Sequence, residues 1–155
     1  MKTKAVAAGT VTLALALTGC GGSSAPSLSA FKGHFKSDKA SFRQLGLDLQ
    51  KAITGAQAKT DAQLASEIGA LAGRASAQAS RLAALRPPDK FKASLTALVT
   101  GFKAVSGDLR SIAAAAVKHD AATAKTATKT LLADATQVKT ADDTITKGLG
   151  LPAAG

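Results

Sequence analysis

Between Asp89 and Lys118 the apolar residues alternate at spacings of four and three. Phe91, Leu95, Leu98, Phe102, Val105, Leu109, Ile112 and Ala116 follow that rhythm without a miss. A 3.5-residue repeat draws one apolar stripe along a helix, and the stripe is buried only where helices lie lengthwise on one another. Three further segments carry the same repeat. In the first, Leu28, Phe35, Phe42 and Leu49 recur every seven residues, Phe31, Leu45 and Ala52 fill the second position, and Asp38 breaks it. The second runs Leu64, Ile68, Leu71, Ala75, Gln78, Leu82, Leu85. The fourth is weaker and Thr-rich: Ala124, Ala127, Leu131, Asp134, Val138, Ala141, Ile145. No stretch shows the two-residue alternation of a half-buried strand.

Local signals place the boundaries. The first helix is expected from about Ser27 to Thr54, followed by a loop at Gly55 to Lys59. Gly46 in its second half is a candidate point of close approach for a neighbouring helix. Thr60 and Gln63 match a capping box, in which each side chain satisfies a free backbone N–H of the other. The second helix then extends to about Leu85. Arg86-Pro87-Pro88-Asp89 ends it and opens a third, because proline restricts the residue before it but suits a first helical turn. Asp120 is a candidate N-cap for the fourth helix, which runs to about Lys147, where Gly148 is expected to stop it. Leu149 and Leu151 are candidates to close the bundle end. The connections are short, so neighbouring helices run antiparallel. The expected fold is all-α: an antiparallel up-down-up-down four-helix bundle over residues 28–151, with a loose tail at 152–155.

The start of the chain has another character. Lys2 and Lys4 precede an apolar run, Ala5 to Thr18, too short to span a bilayer, which takes ~20 residues. It has the form of a secretory signal, expected to be removed as residues 1–19. The run ends in Leu17-Thr18-Gly19-Cys20, and Cys20 is the only cysteine. This stretch resembles the lipobox of bacterial lipoprotein precursors. The resemblance covers residues 1–20 alone and implies cleavage after Gly19, with a diacylglycerol thioether on Cys20. It places the mature chain in a bacterial cell envelope, lipid-anchored on the extracytoplasmic side. Residues 20–27, rich in Gly and Ser, read as a flexible tether of about 15 Å r.m.s. reach. An ordinary signal peptide with a chance cysteine is the alternative.

Removing residues 1–19 takes Lys2 and Lys4 with it and lowers the formal charge from +10 to +8. That balance favours an anionic neighbour: lipid headgroups, a cell-wall polymer or an acidic envelope protein. The bases concentrate at one end of the expected bundle. Lys32, Lys36, Lys39 and Arg43 lie on one side of the first helix, and Arg81, Arg86, Lys90, Lys92 and Lys147 fall at the same end. That end either rests on phospholipid or is a solvated face. Nucleic acid is disfavoured, since no reading motif is present.

Three polar residues interrupt the seams. Folding the chain about its loops sets Asp38, Gln78 and Asp142 at one level of the core. That level is either a site for a cation or polar ligand, or a device that fixes helix register. Phe42 and Phe102 meet further up, in ordinary packing or around a slot for an aromatic ligand.

Catalysis finds little support. The one glutamate of the mature chain, Glu67, has no histidine three residues on, and His34 and His119 fall at opposite ends. No Gly-x-Ser-x-Gly elbow and no phosphate-binding glycine loop occurs. No enzyme, no cofactor and no metal site is therefore expected. The first functional expectation is an interaction or structural module. The alternative is a carrier or sensor holding a small ligand between the helices.

Overall fold

The heptad stripes are the backbone of the fold. A computed structural model describes residues 27–152. The leader at 1–19, Cys20, the tether before Ser27 and residues 153–155 lie outside the described residues. Helix α1 spans Leu28–Thr54, α2 Asp61–Ala83, α3 Asp89–Val117 and α4 Ala121–Gly148. A 3-10 turn at Ala56–Ala58 occupies the expected first loop. Among the described residues there is no strand, and no helix is long and apolar enough to cross a membrane.

The caps expected at Thr60 and Asp120 are formed, and Ser27 adds a third. Ser27 Oγ accepts from Ala30 N at 3.3 Å. Gln63 N donates to Thr60 Oγ1 at 3.3 Å while Thr60 N donates to Gln63 Oε1 at 3.0 Å, completing the capping box. Asp120 Oδ1 accepts from Thr123 N at 3.0 Å. Along α4 the hydroxyls of Thr126, Thr128, Thr130, Thr136, Thr140 and Thr144 bond the carbonyl four residues back. That is how a Thr-rich helix satisfies its side chains without leaving helical geometry.

Several boundaries differ from expectation. Helix α2 ends at Ala83 rather than Leu85. Gly148 does not stop α4. It is the last helical residue, and the chain turns at Gly150, whose φ of +60° a glycine adopts without steric cost. Leu149 is buried and Leu151 packs on the core, so both close the bundle end. Leu28 opens α1 but is 46% exposed. Ala115 is buried in α3, while Ala116 is half-buried.

Cross-helix contacts give the antiparallel order. Asp48 meets Arg74 between α1 and α2, Ser106 bonds the Ala72 carbonyl between α3 and α2, and Gly101 faces Val138 between α3 and α4. The four helices do not pack equally. Helix α3 approaches both α2 and α4 backbone to backbone, and α1 stands further off. The facing residues explain this. Helix α2 buries Ala72, Ala75 and Ala79, α4 buries Ala127 and Ala141, and α3 puts Gly101 against α4. Helix α1 instead inserts Phe31, Phe35, Phe42 and Leu45. Five rings form one continuous ladder: Phe91–Phe31 at 5.4 Å between centroids, Phe31–Phe35 at 5.9 Å, Phe35–Phe42 at 6.1 Å and Phe42–Phe102 at 4.9 Å. The bulk that fastens α1 also holds its backbone away.

The close approach falls at glycines other than Gly46. A Cβ on Gly46 would meet nothing within 4 Å, whereas one on Gly101 would lie 2.7 Å from Val138 Cγ2. Gly101→Ala is expected to destabilise by about 1 kcal/mol, because overpacking by ~1–3 kcal/mol exceeds the ~1 kcal/mol gained in helix propensity. Thermal unfolding checks this, and adding Val138→Ala should restore most of the loss.

Candidate functional site

The polar level expected in the core exists, but it is divided. Asp38 lies 3.7 Å from Arg81 Nε, and Arg81 also donates to Gln78 Oε1. This cluster joins α1 to α2. Gln78 is buried at 2% exposure, and its Nε2 has no partner among the described residues. Asp142 belongs to a second cluster, between α1 and α4. Lys39 Nζ lies 3.8 Å from Asp142 Oδ2 and donates to Thr146 Oγ1 at 2.9 Å and to the Pro152 carbonyl at 3.2 Å. Burial pushes the Asp142 carboxyl above its ordinary value, and the Lys39 ammonium opposes that shift. Asp38 and Lys39 are adjacent on α1, so one turn of helix sends an acid to α2 and a base to α4. Each carboxylate has a cation, while Asp142 Oδ1 is buried with no hydrogen-bond partner among the described residues. No group of three or more metal-ligating side chains occurs among the described residues.

The basic end also divides. Lys39 turns into the α1/α4 seam, Arg81 is committed to Asp38, and Lys92 pairs with Asp89 at 2.7 Å. Lys90 lies over the Phe91 ring at 4.9 Å. Lys32, Lys36, Arg43, Arg86 and Lys147 are exposed and form no ion pair with the described residues. Lys32, Lys36 and Arg43 stand four and seven residues apart, on one face of α1.

Because α1 stands off, the α1/α4 seam is open. A groove of about 250 Å³ runs along it, floored by Phe42, Phe102 and Val105 and walled by Leu45, Gly46 and Leu49 of α1 and Ala135 and Val138 of α4. Lys39, Arg43, Lys139 and Asp142 line one end. The α1/α2 side carries a more polar recess of about 420 Å³ around Gln44, Arg74, Gln78 and Arg81. At the opposite bundle end a third recess, about 300 Å³, lies beside the exposed His119–Asp61 pair. His34 is exposed near the start of α1.

One acidic pair was not anticipated. Asp108 of α3 faces Asp134 of α4. Burial pushes the Asp108 carboxyl up, and the adjoining Asp134 carboxyl raises it further. The sequence held a signal for this, since Asp134 occupies a seam position of the fourth segment. A carboxyl raised in the folded state favours the fold while protonated. That contribution is complete below the unfolded value of ~3.9 and is lost as pH climbs through the raised folded value. Asp108→Asn should therefore leave stability unchanged at pH 3.5 and raise it at pH 7.5. Melting curves at the two pH values check this, and an equal shift at both would contradict it.

No family model, curated protein or solved structure matches this chain.

Proposed function

We propose that this chain is a lipid-anchored protein of a bacterial envelope. Its helical bundle serves as an interaction module at the membrane surface. The motif Leu17-Thr18-Gly19-Cys20 supports the anchor, since acyl chains contribute ~0.8 kcal/mol per buried methylene. The observation that carries the membrane contact is the uncompensated cationic face of α1. Lys32, Lys36 and Arg43 keep their charges free of the acids that engage Lys39 and Arg81. Lys32 and Lys36 lie in the N-terminal half of α1, the half that follows the proposed tether, and Arg43 lies just past its midpoint. Near an anionic leaflet each base contributes ~1 kcal/mol.

The test is co-sedimentation of the unlipidated chain, residues 21–155, with phosphatidylglycerol vesicles at low salt. Binding is expected, with none to phosphatidylcholine vesicles. Lys32→Glu together with Lys36→Glu should weaken it at least tenfold, given ~1 kcal/mol for each base. A chain that ignores anionic vesicles at low salt would remove the headgroup contact and leave only the lipid as the link to the membrane.

A further inference from the structure

The α1/α4 groove is graded along its length. Toward the tether-side end it is lined by Lys39, Arg43 and Lys139, with Asp142 as the one acid. Lys39 answers Asp142, and Lys139 is held 2.5 Å from the exposed Asp143, so Arg43 is the cation in excess. Toward the other end the walls become Leu45, Leu49, Ala135 and Val138 over the Phe42–Phe102 floor. From Lys39 to Leu49 the groove follows α1 for about 15 Å. Its volume, about 250 Å³, approaches the ~300 Å³ at which small-molecule sites begin. The groove stays open because the Phe ladder sets the α1 backbone away from α4 and because residue 46 has no side chain.

A channel that is apolar at one end and cationic at the other is complementary to a single hydrocarbon chain carrying one negative charge. We infer that the α1/α4 groove binds a fatty acid, its alkyl chain lying on Phe42 and Phe102 between Leu49 and Val138 and its carboxylate at Arg43. This goes beyond the membrane contact proposed above, because it uses the seam between two helices, with Arg43 the one residue common to both surfaces.

The probe is dodecanoate, titrated into the unlipidated chain of residues 21–155 and followed by calorimetry and by backbone amide NMR. Saturable one-to-one binding with Kd at or below about 1 mM is expected, with shift changes concentrated on residues 39–49 and 135–142. Gly46→Leu puts a side chain into the groove where a Cβ meets nothing within 4 Å, and leucine favours helix over glycine. That variant should keep the wild-type fold and weaken dodecanoate at least tenfold. Arg43→Gln should weaken it about two- to fivefold, the range of an exposed ion pair, and leave dodecanol binding unchanged. Lys32→Glu with Lys36→Glu should bind dodecanoate as the wild type does, so failure of the headgroup contact and failure of the groove read out separately. The inference is overturned if dodecanoate shows no saturable binding. It is equally overturned if the shifts map elsewhere, or if folded Gly46→Leu binds dodecanoate undiminished.

Discussion

Phe35→Ala is expected to cost about 3–5 kcal/mol, the range for removing a fully buried phenyl ring. Phe35 has 0% exposure and sits mid-ladder, with Phe31 on one side and Phe42 on the other. Domains of this size have about 5–15 kcal/mol in total, so the loss is a large part of the reserve. Its distribution is the sharper expectation. Helix α1 makes few close backbone approaches and depends on its Phe side chains, while α2, α3 and α4 interlock through Ala and Gly. Hydrogen exchange of the variant should therefore quicken on α1 first, with α2–α4 retaining protection. Uniform loss along all four helices, or a change under 1 kcal/mol in denaturant unfolding, would contradict the ladder's role.

Lys39→Ala is expected to cost about 1–3 kcal/mol, the range for stranding a buried polar or charged partner. Its ammonium donates to the buried Thr146 hydroxyl and the Pro152 carbonyl and forms an ion pair with Asp142. Without it, burial acts unopposed by the nearest cation, and the Asp142 carboxyl rises further. The sign follows. A carboxyl raised by folding loses its contribution as pH climbs, so Lys39→Ala should be less damaging at pH 4 than at pH 7.5. Adding Asp142→Asn should recover part of the loss, since residues in contact show coupling of 0.5–3 kcal/mol in a double-mutant cycle. Additive losses would mean that Lys39 acts through Thr146 and Pro152 alone.

The two substitutions mark what the sequence could and could not disclose. The seam of α3 needs only its own spacing: Phe91, Leu95, Leu98, Phe102, Val105 and Leu109 are buried where the four-three rhythm puts them, and Gly101 and Ser106 widen the stripe. Thr60 with Gln63 and Asp120 are equally local, because a cap is decided within one turn of helix. The meeting of Phe42 and Phe102 was legible once the loops were counted. Lys39 was harder. Along α1 it belongs to the cationic stripe of Lys32, Lys36 and Arg43, and only the rotation of α1 against α4 turns it inward to Asp142. The division of Asp38, Gln78 and Asp142 into two clusters has the same origin. Folding about loops gives the level of a residue but not its azimuth. Glycine misled for a related reason. Gly33, Gly46, Gly101 and Gly148 look alike in a helical segment, yet only Gly101 and Gly148 have a neighbour within 3 Å of an added Cβ. Which glycine admits a partner depends on residues far along the chain, Val138 for one and Phe91 for the other. A slot at Phe42 and Phe102 was one of two readings the sequence allowed, but its outline was not legible, since a gap between α1 and α4 exists only after the Phe ladder has set the distance between them.

The most direct test of the anchored module is the intact mass of the chain isolated from bacterial membranes. The expected species begins at Cys20 and carries a diacylglycerol on its sulfur. A free thiol at Cys20, or a mature chain beginning elsewhere, would contradict the anchor and remove the membrane from the proposed function.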